Sequence, residues 1–229
     1  MAGYAGLPRS PFFVPHPQMP MNCAYDPACR RCVRLAGFLD QVARAHPDYH
    51  CKPVAPFGDP AARLLIVGLA PGMHGANRTG RPFTGDHAGI LLYATLHRFG
   101  FASAPESVAP DDGLRLQGVR ISNAVKCLPP HNKPLPAEIA ACNDYLRAEL
   151  AASADLRVIL ALGAIAHGAV LRAHGLKPGA HRFAHGASHR LGERVLVDSY
   201  HCSRYNTQTR RLTTPMFERV VAQAARLLA

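Results

Sequence analysis

Four short apolar runs of the chain are typical of buried β-strands, and segments with helical spacing separate them. The apolar runs are 63–69, 119–125, 156–162 and 194–199. Helical spacing covers 29–44, 87–101, 137–150, 163–174 and 213–228. Because strands that alternate with helices pair in parallel and carry helices on both faces, we predict a three-layer α/β/α sandwich around a mainly four-stranded parallel sheet.

The predicted topology indicates where a functional site would lie. In open parallel sheets, ligands bind beyond the carboxyl ends of the strands. The loops that follow Leu69, Val125 and Ser199 are therefore the candidates. The 229 residues suit one hydrophobic core. We expect a single domain over 23–229, preceded by an extended proline-rich arm over 1–22.

The charge of the chain favours a polyanionic partner. Lys and Arg number 26 against 15 Asp and Glu, which gives a formal net charge of +11. Each phosphate that a basic protein neutralises releases condensed counterions, so nucleic acid is favoured, although a ribosomal role, a membrane surface or genome composition would also explain the charge. Neither a membrane-spanning run nor a signal peptide is recognisable, which predicts a cytoplasmic protein with reduced cysteines and no membrane partner.

The loop after the first strand, 68–86, is glycine-rich and polar. Its segment 75–80 resembles the start of a phosphate-binding loop, but Arg81 and Pro82 stand where that motif needs Lys and Ser/Thr, which excludes a nucleotide hydrolase. Phe83 would either stack on a base or fill the core beneath the loop. Asp86 would either supply a carboxylate to a site or only cap the following helix, as Thr84 also could.

Four cysteines form two pairs that suit a metal site: Cys29 with Cys32, and Cys127 with Cys142. Zinc and an iron–sulfur cluster would both accept four thiolates, and the spacing alone favours zinc. Four unrelated buried cysteines are the remaining interpretation.

Two further loops carry polar chemistry. Asn123 and Asn132 each offer an amide that could read a pyrimidine edge or merely stabilise a turn. His201 follows the fourth strand and is expected to face the first loop. The basic segment, which we define as 204–211, suits a loop that enters a DNA groove.

Together these motifs resemble the uracil-DNA glycosylase superfamily, and in particular its family 5, or type B. The resemblance rests on GLAP (68–71), HG (74–75), NRTGR (77–81), FTGD (83–86) and the SYHCS segment (199–203). It spans about 29–220. Two positions depart from the wider superfamily: Leu69 stands where family 4 has Glu, and Cys202 replaces the proline of the usual HPS motif.

The resemblance implies a 4Fe–4S cluster held by Cys29, Cys32, Cys127 and Cys142, with Cys23 as the rival ligand. Such a cluster would join the N-terminal helix to the loop after the second strand.

The resemblance also implies roles for the site residues. Asp86 would stabilise a positively charged sugar and orient water, His201 would donate to the base oxygen, and Asn123 would read the base edge. The flipped base would lie between Phe83 and the loop that carries His201. Further substrate contacts are expected from Ala70, Gly72, His74, Asn77 and Asn132, and DNA contacts from Arg204, Tyr205, Arg210 and Arg211.

The sequence therefore predicts a monomeric, monofunctional DNA glycosylase that removes uracil, and other deaminated bases such as hypoxanthine, to initiate base excision repair. Lys126 and Lys133 are the only lysines near these loops, which disfavours Schiff-base chemistry. The alternatives are a non-catalytic iron–sulfur protein that senses DNA damage and a zinc-stapled nucleoside hydrolase.

Overall fold

A computed structural model describes residues 25–229. The predicted arm over 1–22 and the rival ligand Cys23 lie outside the described residues. The described part contains a six-stranded sheet with the order β1-β3-β2-β4-β6-β5. The strands are β1 (Phe57–Gly58), β2 (Leu64–Gly68), β3 (Val119–Asn123), β4 (Val158–Leu162), β5 (Ser188–Leu191) and β6 (Arg194–Ser199).

The four predicted strands are confirmed as β3, β2, β4 and β6, which lie side by side and pair in parallel. Antiparallel edge strands, β1 and β5, extend the sheet at its two ends. The sequence did not predict these two, because β1 has only two residues and β5 has the mostly polar sequence SHRL.

The five predicted helices are confirmed to within a few residues. The described helices are α1 (Val33–Ala45), α2 (Ala76–Thr79), α3 (His87–Arg98), α4 (Pro136–Ala152), α5 (Ala164–Ala173), α6 (Arg204–Gln208) and α7 (Thr214–Arg226). The short helices α2 and α6 occupy segments that we predicted as loops. The basic segment is therefore not a plain loop, because its first five residues form α6, capped by the Ser203 hydroxyl.

Helices cover both faces of the sheet, which confirms the three-layer sandwich. On one face, α3 and α7 pack on the alternate side chains of β2 to β6, represented by Leu64, Val158 and Val197. On the other face, α4 and α5 pack on the intervening side chains, represented by Leu65 and Ile159.

Helix α1 lies apart from these layers, over the end of β3. It contributes Leu35, Leu39 and Val42 to a third apolar cluster, which Val125 and Leu128 join from the chain that follows β3. In residues 25–229, no helix has both the length and the apolar character needed to cross a membrane.

Candidate active site and cysteine cavity

The carboxyl ends of β2, β3 and β6 lie at one edge of the sheet, as the topology predicted. Gly68 at the end of β2 is in register with Asn123 at the end of β3. The side chains of Asn123 and Phe83 both close over Gly68: a Cβ added to this glycine would lie 2.6 Å from the Phe83 ring and would also overlap the Asn123 amide oxygen. The close approach of both side chains requires glycine at this position.

Phe83 combines the two roles that the sequence left as alternatives. It is buried, with 6% of its surface exposed, and it packs with Leu92 in the core beneath the loop. Its ring also faces His201, with 5.9 Å between ring centroids and an interplanar angle of 28°. Its φ of 58° is in the left-handed region, which is strained for an aromatic residue, so the surrounding structure must hold it there.

Asp86 stands at the N-cap position of α3, but its side chain makes no capping hydrogen bond, so the cap-only interpretation is wrong. The carboxylate instead points back into the loop, where Oδ2 accepts a hydrogen bond of 3.4 Å from the Ala76 N–H. Gly72 and Gly75 line this carboxylate so closely that a Cβ on Gly72 would lie 2.8 Å from its oxygen. The loop glycines thus make room for a carboxylate of the chain itself.

Burial raises the pKa of Asp86 above its ordinary value. The Ala76 N–H and the positive charges of Arg78 and His74 act in the opposite direction. His74 is exposed, and its Nδ1 lies 2.9 Å from the Tyr49 hydroxyl. The pKa is raised overall because burial outweighs these groups, which favour the charged form of the carboxylate.

Arg81 holds this loop in place, and we did not predict its role from the sequence. Its guanidinium is 6% exposed and donates to Thr84 Oγ1 (2.8 Å), Ser107 Oγ (2.8 Å) and Asp112 Oδ2 (2.6 Å). It also donates to the carbonyl oxygens of Ala109 and Pro110. Because Arg81 and Thr84 flank the strained Phe83, these bonds fix the backbone on both sides of it.

The three candidate amides have different surroundings. Asn123 is 3% exposed, and its Oδ1 has no hydrogen-bond partner in residues 25–229. Asn77 is fully buried with Nδ2 against Cys51 Sγ at 3.5 Å, which places it inside the loop. Asn132 is exposed, ends a short 3-10 turn, and makes no side-chain hydrogen bond in the described residues. An unpaired buried amide oxygen is uncommon, and Asn77 Oδ1 is unpaired as well, but of these two residues Asn123 is the one at the carboxyl end of a strand.

His201 enters the site directly after β6 and Tyr200. Burial lowers the pKa of its imidazole to about 4, and no described residue hydrogen-bonds to the ring. Its backbone oxygen accepts 2.8 Å from Asn206 Nδ2, and the next residue, Cys202, is fully buried. The side chain is thus a neutral imidazole at neutral pH, with ring nitrogens free for a ligand.

The basic segment reaches the site through Arg204. A groove between the start of α3 and the 105–108 segment contains Asp86 and has Arg204 on its wall. Tyr205 is 70% exposed, and Arg211 lies over the Tyr200 ring at 4.7 Å. Arg210 has a left-handed φ of 56°. Of the four predicted DNA contacts, Arg204 thus shares a groove with Asp86.

The four predicted cysteine ligands meet in one cavity, which we call the cysteine cavity. Cys29 and Cys32 approach it from the start of α1, Cys127 from the chain after β3 and Cys142 from α4. Burial raises the pKa of Cys127 to about 12, and the three neighbouring thiols add to this effect. The Lys126 N–H donates to Cys142 Sγ at 3.2 Å. The packing of Ala70 and Met73 against the same cluster links the cavity to the loop after β2.

The spacing of these sulfurs bears on the two metal interpretations. A tetrahedral zinc with Zn–S bonds of about 2.3 Å would hold its sulfurs about 3.8 Å apart. Within residues 25–229, no three of the cysteine sulfurs lie within 4.8 Å of one another. A single zinc ion would therefore require the cysteine side chains to move closer together.

Comparison with known proteins agrees with this arrangement. The family model described as "Uracil DNA glycosylase superfamily" matches residues 55–225. A type-5 uracil-DNA glycosylase of Thermus thermophilus is 51% identical over 207 residues, which cover 87% of this chain and 94% of the relative.

Two further relatives carry the same name. The type-5 uracil-DNA glycosylase of Mycobacterium bovis is 45% identical, over 87% of this chain and 78% of the relative. That of Pyrobaculum aerophilum is 42% identical, over 86% of this chain and 88% of the relative. The site geometry, the family match and these relatives together show that the chain belongs to the type-5 family of the uracil-DNA glycosylase superfamily.

Proposed function

We propose that this protein is a monofunctional glycosylase that flips uracil out of DNA and hydrolyses its N-glycosidic bond, as the first step of base excision repair. The observation that carries the proposal is that one loop holds both the Asp86 carboxylate and the Phe83 ring, and that this ring faces the neutral His201 imidazole. The names of the type-5 relatives support the same activity.

Cleavage of this bond leaves positive charge on the sugar and negative charge on the departing base, so the enzyme needs an anion on one side and donors on the other. Asp86 is the anion in our proposal and also orients the attacking water. His201 donates a hydrogen bond to the base oxygen. A neutral imidazole suits this role, since it can donate without requiring a charged ring in a buried site.

Asn123 reads the base edge in our proposal. Its Oδ1, which has no donor among residues 25–229, would accept a hydrogen bond from a base N–H. Ala70, Gly72 and His74 supply the adjacent wall. Asn77 supports that wall from within, and Asn132 remains a prediction as a base contact.

The base stacks on Phe83 in our proposal, and this requires a movement. A base between two parallel rings needs about 7 Å, twice the contact distance of about 3.5 Å. The Phe83 and His201 rings are 5.9 Å apart. The two rings must therefore separate when the base enters, and the segment after β6 is the side that moves.

In our proposal the basic segment contacts the DNA. It binds the DNA backbone and fills the gap that the flipped nucleotide leaves, through Arg204, Tyr205, Arg210 and Arg211. A monomeric state and a cytoplasmic location stay predictions, of which the first is testable by sedimentation.

The direct test is base release from defined oligonucleotides that contain uracil or hypoxanthine, with free deoxyuridine as a parallel substrate. We expect free uracil from the oligonucleotide and none from deoxyuridine. Tight binding of damaged DNA without base release would instead indicate a damage sensor, and release from deoxyuridine alone would indicate a nucleoside hydrolase.

We also propose that Cys29, Cys32, Cys127 and Cys142 hold a 4Fe–4S cluster. Such a cluster would supply four metal–sulfur bonds that cross-link α1, the chain after β3 and α4, in a structural role. The test is iron and acid-labile sulfide per chain in the wild type, in Cys142→Ser and in the control Cys51→Ser. We expect Cys142→Ser alone to lose iron. Stoichiometric zinc without iron in the wild type would overturn the proposal.

A further inference from the structure

A second group of metal-ligand side chains lies on the α4/α5 face of the sheet, away from the cysteine cavity. The Asp198 carboxylate is fully buried there between two imidazoles. Its Oδ1 lies 2.7 Å from His167 Nδ1, and its Oδ2 lies 3.0 Å from His189 Nε2. The three ligand atoms all lie within 4.8 Å of one another.

The fold brings these residues together from three elements. Asp198 and Leu196 are alternate residues of β6 and share a face of the sheet. His189 on β5 is directly opposite Leu196, so its side chain lies diagonal to Asp198 on that same face. His167 lies on α5, which packs on this face.

The remaining hydrogen bond of His167 is the one that metal-bound histidines make. Its Nε2 lies 3.0 Å from the His181 carbonyl oxygen, which can only accept. A ligand histidine commonly donates its second N–H to a carbonyl, which leaves the other nitrogen free to bind the metal. Both nitrogens of His167 therefore face oxygen atoms that accept hydrogen bonds.

We propose that His167, His189 and Asp198 bind one divalent transition-metal ion such as zinc. Two imidazoles and a carboxylate are a donor set that zinc accepts, with a fourth position for water or for the His181 imidazole, whose ring lies 5.0 Å from that of His189. The bound ion would replace the hydrogen bonds that now join the imidazoles to the carboxylate. His189 is 13% exposed, which gives the ion a path from solvent.

The ion would cross-link α5 and β5 to the end of β6, just before His201. Asp198 is three residues before His201, and the Gly163 N–H that begins α5 donates to the Ser199 oxygen at 2.8 Å. The site would therefore fix the end of β6, from which the segment that carries His201 departs.

The experiment uses the full-length protein with its iron in place. After dialysis against zinc, bound zinc and iron are counted per chain, and absorption at the zinc edge identifies the ligand atoms. We expect one zinc per chain with nitrogen and oxygen at about 2.0–2.1 Å and no sulfur. A protein without bound zinc, or zinc bound to sulfur at about 2.3 Å, would overturn the proposal.

His189→Gln separates metal binding from hydrogen bonding. The glutamine amide can still donate to Asp198, but it is a poor zinc ligand. We expect this variant to lose the zinc while it keeps its iron, and the exposed-residue control His97→Ala to keep both. Retention of the zinc in His189→Gln would contradict the site, and if this variant does not fold, the zinc-edge result on the wild type decides alone.

Discussion

The loop after β2 and the segment after β6 face each other across the site, and they are fixed very differently. In the first, the guanidinium of Arg81 bonds across the strained Phe83 to Thr84 and also to the 107–112 segment. In the second, the His201 ring has no hydrogen-bond partner among the described residues, and the exposed basic segment follows it.

This difference in hydrogen bonding suggests different roles for the loop after β2 and the segment after β6. The wall that carries Asp86 is fixed before substrate arrives, as electrostatic stabilisation of a transition state requires. The ring of His201 is held by no side-chain hydrogen bond among the described residues, and in our proposal it moves away from Phe83 when a base enters. Four substitutions test this contrast, beginning with the one of largest expected effect.

Asp86→Asn should lower the rate of uracil release roughly 100–1000-fold, because it removes the charge that faces the developing positive sugar. The same change should raise the thermal midpoint slightly. The pKa of Asp86 is raised by burial, so folding is opposed by its charge above pH 4, and the neutral amide removes that opposition. Single-turnover kinetics and calorimetry measure the two effects.

The control for this change is Asp111→Asn, which alters an exposed carboxylate on the neighbouring segment. It should leave both rate and midpoint unchanged. An Asp86→Asn enzyme with wild-type activity would remove Asp86 from the mechanism.

His201→Ala should lower the rate roughly 100-fold, since it removes one donor to the departing base. Because burial holds the pKa of His201 near 4, the wild-type rate should not change through this group between pH 5 and 8. The prediction is contradicted if the wild-type rate falls as the pH drops through 6.5 while the His201→Ala rate stays constant. That result would show that the imidazole titrates with its ordinary pKa.

Stability provides the second arm of the His201 test. The pKa of His201 is lower in the folded protein than its usual 6.5, so the unfolded chain takes up the proton first as the pH falls. The stability that the neutral ring contributes is therefore present above pH 6.5 and is lost as the pH falls through 4. The difference in unfolding free energy between the wild type and His201→Ala should shrink over that interval.

Arg81→Ala should lower the rate roughly tenfold and destabilise the protein by about 3 kcal/mol, because it leaves the Asp112 carboxylate without its partner and frees the loop around Phe83. Chemical denaturation measures the stability, and saturation kinetics should place the loss in kcat rather than in KM. The exposed Arg115→Ala is the matched control. Equal effects of the two changes would mean that the loop is not held by Arg81.

Arg204→Ala should have the smallest effect, a few-fold weaker binding of DNA. Removal of one phosphate contact should reduce the slope of log affinity against log salt by about one. Fluorescence anisotropy over a salt series measures this slope. A change in preference between bases, with the slope unaltered, would place Arg204 at the base rather than at the backbone.

The central sheet was predictable because β2 and β4 are completely apolar, and a completely apolar run of that length suits a strand buried on both faces. Edge strand β5 was not predictable from the sequence, since only Leu191 of its four residues is buried. Helix α6 was missed because its polar sequence, RYNTQ, has no apolar stripe from which a helix could be recognised.

Within the site, residues carried by motifs were predictable and residues joined only by the fold were not. Asp86 stood out from its motif, whereas the partners of Arg81 lie 26 and 31 residues further along, in an irregular segment. Likewise, His167, His189 and Asp198 come from three separate elements, and no spacing in the chain marks them as neighbours. The positions of Gly72 and Gly75 beside a carboxylate, rather than a ligand, also required coordinates.

The cysteine cavity has one more consequence, which concerns the unfolded chain. Cys32 and Cys127 are 127 − 32 = 95 positions apart, yet they line the same small space. Any group that bonds both closes a loop of that length, and for a covalent cross-link the lost chain entropy amounts to roughly 4–5 kcal/mol. A protein that keeps this link should refold from denaturant with its first helix already tethered to its sheet, and one that has lost it must find that contact by diffusion.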